Sequence, residues 1–96
     1  MIELNEIIHS KPRLLIMLTL FSFEECDFNF LKNKLQFSDG VLSVHIQKLE
    51  KAGYIKVRKR FIGKKPNTSY KITDKGRKAL IKYIKQMKEI FNEFKI

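Results

Sequence analysis

The sequence predicts a mainly α-helical domain with one small β-hairpin, and three observations predict it. Apolar residues recur at helical spacing along most of the 96 residues, alternate between residues 54 and 72, and then return to helical spacing. Residues 38–54, SDGVLSVHIQKLEKAGY, read as one helix with two unlike faces. The net charge of +10 is unevenly spread: residues 51–82 hold 12 basic groups and one acid, Asp74, whereas residues 1–50 hold 5 basic and 7 acidic groups. This length allows one domain, over 1–96, and an apolar fraction of 44% suffices for a small core.

Taken in order, residues 1–9 are weakly helical, with Ile2, Leu4, Ile7 and Ile8 available to pack on a neighbour. Ser10 is an N-cap, and Pro12 sits in the first turn, where its missing N–H does no harm. The first main helix then runs from Lys11 to about Ser22. It offers Leu14, Leu15, Met17, Leu18 and Phe21 to the core, with Thr19 and Ser22 as its less buried positions. Cys26-Asp27-Phe28 is a short extended piece, and Asp27 or Asn29 caps a second short helix that ends at Leu35. Gln36-Phe37-Ser38 is a tight turn.

In the next helix, Leu42, Ile46 and Leu49 fall within about 60° of each other and form a core stripe. Ser43, Val44, Gln47 and Lys51 lie opposite, with Lys48 beside them, and that side reads as free of acids. Ala52-Gly53 stops the helix, since glycine takes the left-handed C-terminal position without steric cost. Alone, an ordinary surface helix reads the same way. Residues 54–62 alternate as a strand, with Ile55, Val57 and Lys59 on one face and Lys56, Arg58 and Arg60 on the other. Gly63–Asn67 is a basic turn, and Ser69–Ile72 a second strand with Tyr70 and Ile72 inward. Thr73 caps the last helix, which runs to about Phe94 with Leu80, Ile84, Met87, Phe91 and Phe94 on one stripe.

Two short helices joined by a tight turn, then a basic hairpin and a long helix, make the winged helix-turn-helix order. Residues 27–79 resemble the winged helix-turn-helix transcriptional regulators of the MarR/ArsR type, in particular the short stand-alone prokaryotic ones. The resemblance rests on SDGVLSVHIQKLEKAGYI and on Thr68-Ser69-Tyr70-Lys71-Ile72-Thr73-Asp74-Lys75-Gly76-Arg77, which is similar to the family's T-x-Y-x-L-T-x-x-G-R pattern. It implies sequence-specific binding of double-stranded DNA by a homodimeric regulator, a repressor by occlusion, with a recognition helix at 39–52 and a basic wing at 55–72. Asn67 departs from relatives that often carry a basic residue there.

A major groove about 12 Å wide accepts one helix and displays distinct donor and acceptor patterns. Gln47 suits a bidentate pair with adenine, Ser43 a base or phosphate, and Val44 a thymine methyl. Lys48 and Lys51 suit phosphates, as do the amides near Ser38 and Gly40 at the helix start. On the wing, Arg58, Arg60, Lys64, Lys65 and Asn67 would straddle the backbone and probe the minor groove, and Arg77 and Lys78 add a backbone contact. The competing readings are a solvated Gln47, an Arg77 packed on the wing, and a Lys-rich face with no partner. His45, Tyr70 and Phe61 read as packing residues rather than base contacts.

Catalysis finds no support: there is no nucleophile–base set with plausible spacing, P-loop or HExxH. No cofactor is implied. Cys26, His9 and His45 are isolated, so no metal site is expected, and Cys26 reads as a small buried hydrophobe. One cysteine and no apolar run of membrane length imply a reducing, cytoplasmic setting without a membrane partner. Residues 1–20 and 79–96 are expected to form a homodimer interface, through Ile84, Met87, Phe91 and Phe94. A small-molecule effector is not legible. A different class of function also fits the fold: an interaction or RNA-associated module within a larger complex.

Overall fold

The computed structural model describes residues 2–96. Its elements are α1 (Lys11–Phe23), β1 (Glu25–Asp27), α2 (Phe28–Leu35), α3 (Asp39–Lys51), β2 (Ile55–Ile62), β3 (Lys65–Ile72) and α4 (Asp74–Glu93). Each helix starts where a side chain accepts an otherwise unpaired amide. Ser10 caps Arg13, Asp27 caps Phe30, Ser38 caps Val41 and Thr73 caps Gly76. The turn between α2 and α3 is set by Gln36 in the left-handed region, φ 60°. Gly53 ends α3 at φ 79°, where its backbone freedom is needed.

The core is closed by α1 and α3 against the sheet, with α4 crossing α1. Ile16, Met17 and Leu20 of α1 meet Leu31, Leu42, Leu49 and Leu80, and all seven are fully buried. Ile55, Tyr70 and Ile72 cover the same core from the sheet. The sheet has three antiparallel strands in the order β1-β3-β2. With Cys26 opposite Tyr70, the short extended piece is an edge strand of the wing's own sheet. The arrangement is a winged helix-turn-helix.

Several expectations are corrected. Residues 2–9 are not helical: Asn5 Oδ1 accepts the amides of Ile7 and Ile8, which turns the chain and drives Ile8 into the core. Asn5 Nδ2 donates to the Tyr54 hydroxyl at 2.7 Å, so this segment is a strap across the molecule. On α1 the buried face is rotated from the expected one. Thr19 is buried while Leu18 and Phe21 stay exposed. Thr19 tolerates burial because its hydroxyl donates to the Leu15 carbonyl at 2.7 Å. The β2–β3 turn is two residues, Gly63-Lys64, rather than five, and Pro66 and Asn67 are already paired with Phe61 and Arg60. Tyr83, absent from the expected stripe, is buried on α4, its hydroxyl 2.7 Å from His9 Nδ1.

Candidate nucleic-acid interface

α3 turns Leu42, Ile46 and Leu49 inward, which leaves Val44, Gln47, Lys48 and Lys51 exposed on the outside and Ser43 half-buried at the edge. Between this helix and the wing lies an open cleft of about 240 Å³, lined by Ser43, Gln47, Glu50, Val57, Lys59 and Thr68 among others. Glu50 corrects the acid-free outer face. At about 100° per residue it falls between Ile46 and Ser43, so a carboxylate lines the wing side of this surface.

The start of α3 is arranged for an anion, with one local counterweight. The Ser38 hydroxyl is committed to the Val41 amide at 3.2 Å. Gly40 has nothing within 4 Å of where a Cβ would sit, so the helix start is open to an approaching phosphate. Asp39 would repel that phosphate, but Lys32 of α2 pairs with it at 2.8 Å.

The wing sorts its charges by face. Directly opposed residues of an antiparallel pair share a face. Ile55, Val57, Lys59 and Phe61, opposite Ile72, Tyr70, Thr68 and Pro66, therefore form the side turned toward α3. Lys56, Arg58 and Arg60 form the other. Arg58 and Arg60 reach Glu25 of β1 at 3.5 and 2.7 Å, so both are paired across the far face. The cations left open around the tip are Lys59, Lys64 and Lys65, all exposed, with Asn67 half-buried on the far side opposite Arg60. Lys59 was missed as a site residue because its strand register alone read as inward. Arg77 does not point into solvent as a free cation: its guanidinium lies over the Phe21 ring, 5.0 Å from the centroid. Lys78 beside it is exposed.

His45, half-buried on α3, is bonded rather than merely packed. Arg13 Nη1 lies 2.9 Å from His45 Nδ1. A guanidinium has no acceptor, so Arg13 donates and the neutral imidazole carries its proton on Nε2. The same guanidinium donates through Nε to the Ile7 carbonyl. Arg13 thus ties the N-terminal strap to the middle of α3. Burial, then Arg13, then Lys48 push the His45 pKa below its ordinary 6.5.

A second surface lies between α1 and α4. A groove of about 360 Å³ is lined by Leu14, Leu18, Tyr83, Ile84, Met87 and Phe91, with Lys88 at its rim. Beyond it Phe94 is 70% and Ile96 87% exposed. Among the described residues no three metal-ligating side chains gather, and no helix is long and apolar enough to cross a membrane.

Comparison with known proteins agrees with this geometry. Residues 13–91 match a family described as a winged helix DNA-binding domain. The chain is 39% identical over 85 residues to an uncharacterized protein of Methanocaldococcus jannaschii, a match covering 88% of this chain and 92% of that one. It superposes with a TM-score of 0.89 on a transcriptional regulator homologue from Pyrococcus horikoshii, at 27% identity, over 96% of this chain and 91% of that one. A DNA-bound structure of AbfR, a Staphylococcus epidermidis protein, is similar in fold alone. That match has a TM-score of 0.66 at 22% identity, over 90% of this chain and 68% of that one.

Proposed function

Because the chain belongs to the family of winged helix DNA-binding domains, we propose that it is a sequence-specific regulator of transcription that binds duplex DNA as a homodimer in the cytoplasm. In this reading α3 enters the major groove and the β2–β3 wing follows the backbone into the minor groove. The observation that carries it is one open surface: Val44, Gln47, Lys48 and Lys51 on α3 run across the cleft to Lys59 and to Lys64 at the tip of the wing, with Lys65 on the tip's other face. Ser43, Val44 and Gln47 read bases, and the lysines hold phosphates. With Arg58 and Arg60 tied to Glu25, the lysines of the wing carry more of the affinity than its arginines.

The dimer uses the groove between α1 and α4, with Ile84, Met87, Phe91 and Phe94 covered by the same face of a second copy. Apolar side chains gathered on one face support that role. Two recognition helices then meet half-sites about 10 bp apart, or a multiple of that spacing, and repression follows from occlusion. No residue is assigned a catalytic role.

Selection from a random duplex library, followed by fluorescence anisotropy across a salt series, tests this reading. The expected result is a steep fall of affinity with salt, and a weaker, less salt-dependent complex for Lys64→Ala with Lys65→Ala. Affinity indifferent to both salt and these substitutions, or equal competition by RNA, would contradict it.

A further inference from the structure

The end of the wing carries apolar surface that the fold does not use. Phe61 is 72% and Ile62 62% exposed, where a packing role had been expected for Phe61. Phe61 stands directly opposite Pro66, so the two share a face of the hairpin, and it is the face turned toward α3. Along β2 that face reads Val57, Lys59, Phe61. Val57 and Lys59 line the cleft beside Gln47, and Phe61 lies one step further out. At about 3.4 Å per residue, Phe61 is roughly 14 Å beyond Val57, past the reach of the core. The platform beneath it is a continuously paired hairpin. The turn is two residues with Gly63 at φ 64°, and β2 and β3 stay paired out to Ile62 and Lys65.

A bare aromatic at the tip of a paired hairpin calls for a partner, and the charge around it selects which. Lys59 shares its face, Lys64 sits in the turn and Lys65 lies on the other face of the tip, next to Pro66; no acidic residue occurs between 55 and 72. An apolar protein surface would meet these unpaired lysines. A polyanion with stacked planar bases answers both features. Resting on the DNA-binding reading above, we infer that Phe61, backed by Pro66, is an apolar wedge that enters the minor groove and opens a base step while the three lysines hold the flanking phosphates. Wedges of this kind unstack a step and bend the duplex toward the major groove. The wing therefore selects sequence by deformability, favouring pyrimidine–purine steps such as TA or CA at positions it does not read by hydrogen bonding.

The test uses a duplex selected by the wild-type protein, with 2-aminopurine placed in turn at each step of the flanks and a dye pair at the ends. Wild type is expected to bend the duplex and to raise fluorescence at one flanking step per half-site. Phe61→Ala should abolish both signals and weaken binding by about tenfold, since it removes stacking, while leaving the slope of log affinity against log salt unchanged. Phe61→Leu should retain part of the bend. Wild type that binds without bend or local unstacking overturns the wedge, as does Phe61→Ala with unchanged affinity and bend. In both cases Lys64→Ala with Lys65→Ala still weakens binding, so the DNA reading survives. A change of oligomeric state in Phe61→Ala with the bend intact assigns the patch to protein contact and also overturns the wedge. Wild type that does not bind duplex DNA removes both readings together.

Discussion

At Gly76 the backbone of Tyr54 leaves no room for a side chain: a Cβ there would lie 2.1 Å from the Tyr54 carbonyl oxygen. That oxygen also accepts the Thr73 amide at 2.9 Å, so it cannot move away freely. Gly76→Ala is expected to cost about 3 kcal/mol or more, read as a lowered urea midpoint with an unchanged m-value. His45 sets a second expectation. Its folded pKa is depressed, so the unfolded chain binds the proton first. Stability from this site is full above pH 6.5 and is lost as the pH falls through the lower folded pKa. Denaturation between pH 5 and 7.5 should show that loss, and His45→Asn should flatten it. Ser69 offers the opposite sign. Its hydroxyl is buried without a partner among the described residues, so Ser69→Ala should be neutral or stabilising by up to about 1 kcal/mol.

Elements were legible where one local signal decides them. Ser38, Gly53 and Thr73 bound their helices as their chemistry requires, and the stripe Leu42, Ile46, Leu49 is the buried face of α3. Ser38→Ala, which removes the cap of α3, should cost about 1 kcal/mol in thermal unfolding. What was not legible depends on partners distant in the chain or on a single rotation. β1 exists because Cys26 and its neighbours pair with β3, more than forty residues away. Thr19 reads as polar until its hydroxyl is given back to Leu15. The N-terminal segment reads as helical by composition, but Asn5 turns it and Arg13 pins it. On the candidate interface Val44, Gln47, Lys48 and Lys51 are exposed on the side of α3 where periodicity put them. The wing was only half legible. Alternation assigned Arg58 and Arg60 to one face correctly, yet nothing local indicated that Glu25 would bind both.

For the whole molecule, a body 54 Å long and 25 Å across carries two distinct surfaces. The cationic wing and α3 make one surface, and the α1–α4 groove with Phe91, Phe94 and Ile96 makes the other. Met87→Glu or Phe91→Asp should give a monomer by sedimentation and leave a complex that protects one half-site rather than two. In the proposed function α3 carries selectivity while the wing carries salt-dependent affinity. The salt dependence of binding to the selected duplex and to a scrambled one, for wild type, Gln47→Ala, and Lys64→Ala with Lys65→Ala, separates the two roles. Gln47→Ala should lose about 1–3 kcal/mol of discrimination with the salt slope unchanged. The double lysine variant should lower the slope by about 2 on both duplexes and keep the ratio between them. A Gln47→Ala protein that discriminates as well as wild type, or a lysine variant with an unaltered slope, would rule out this division of roles.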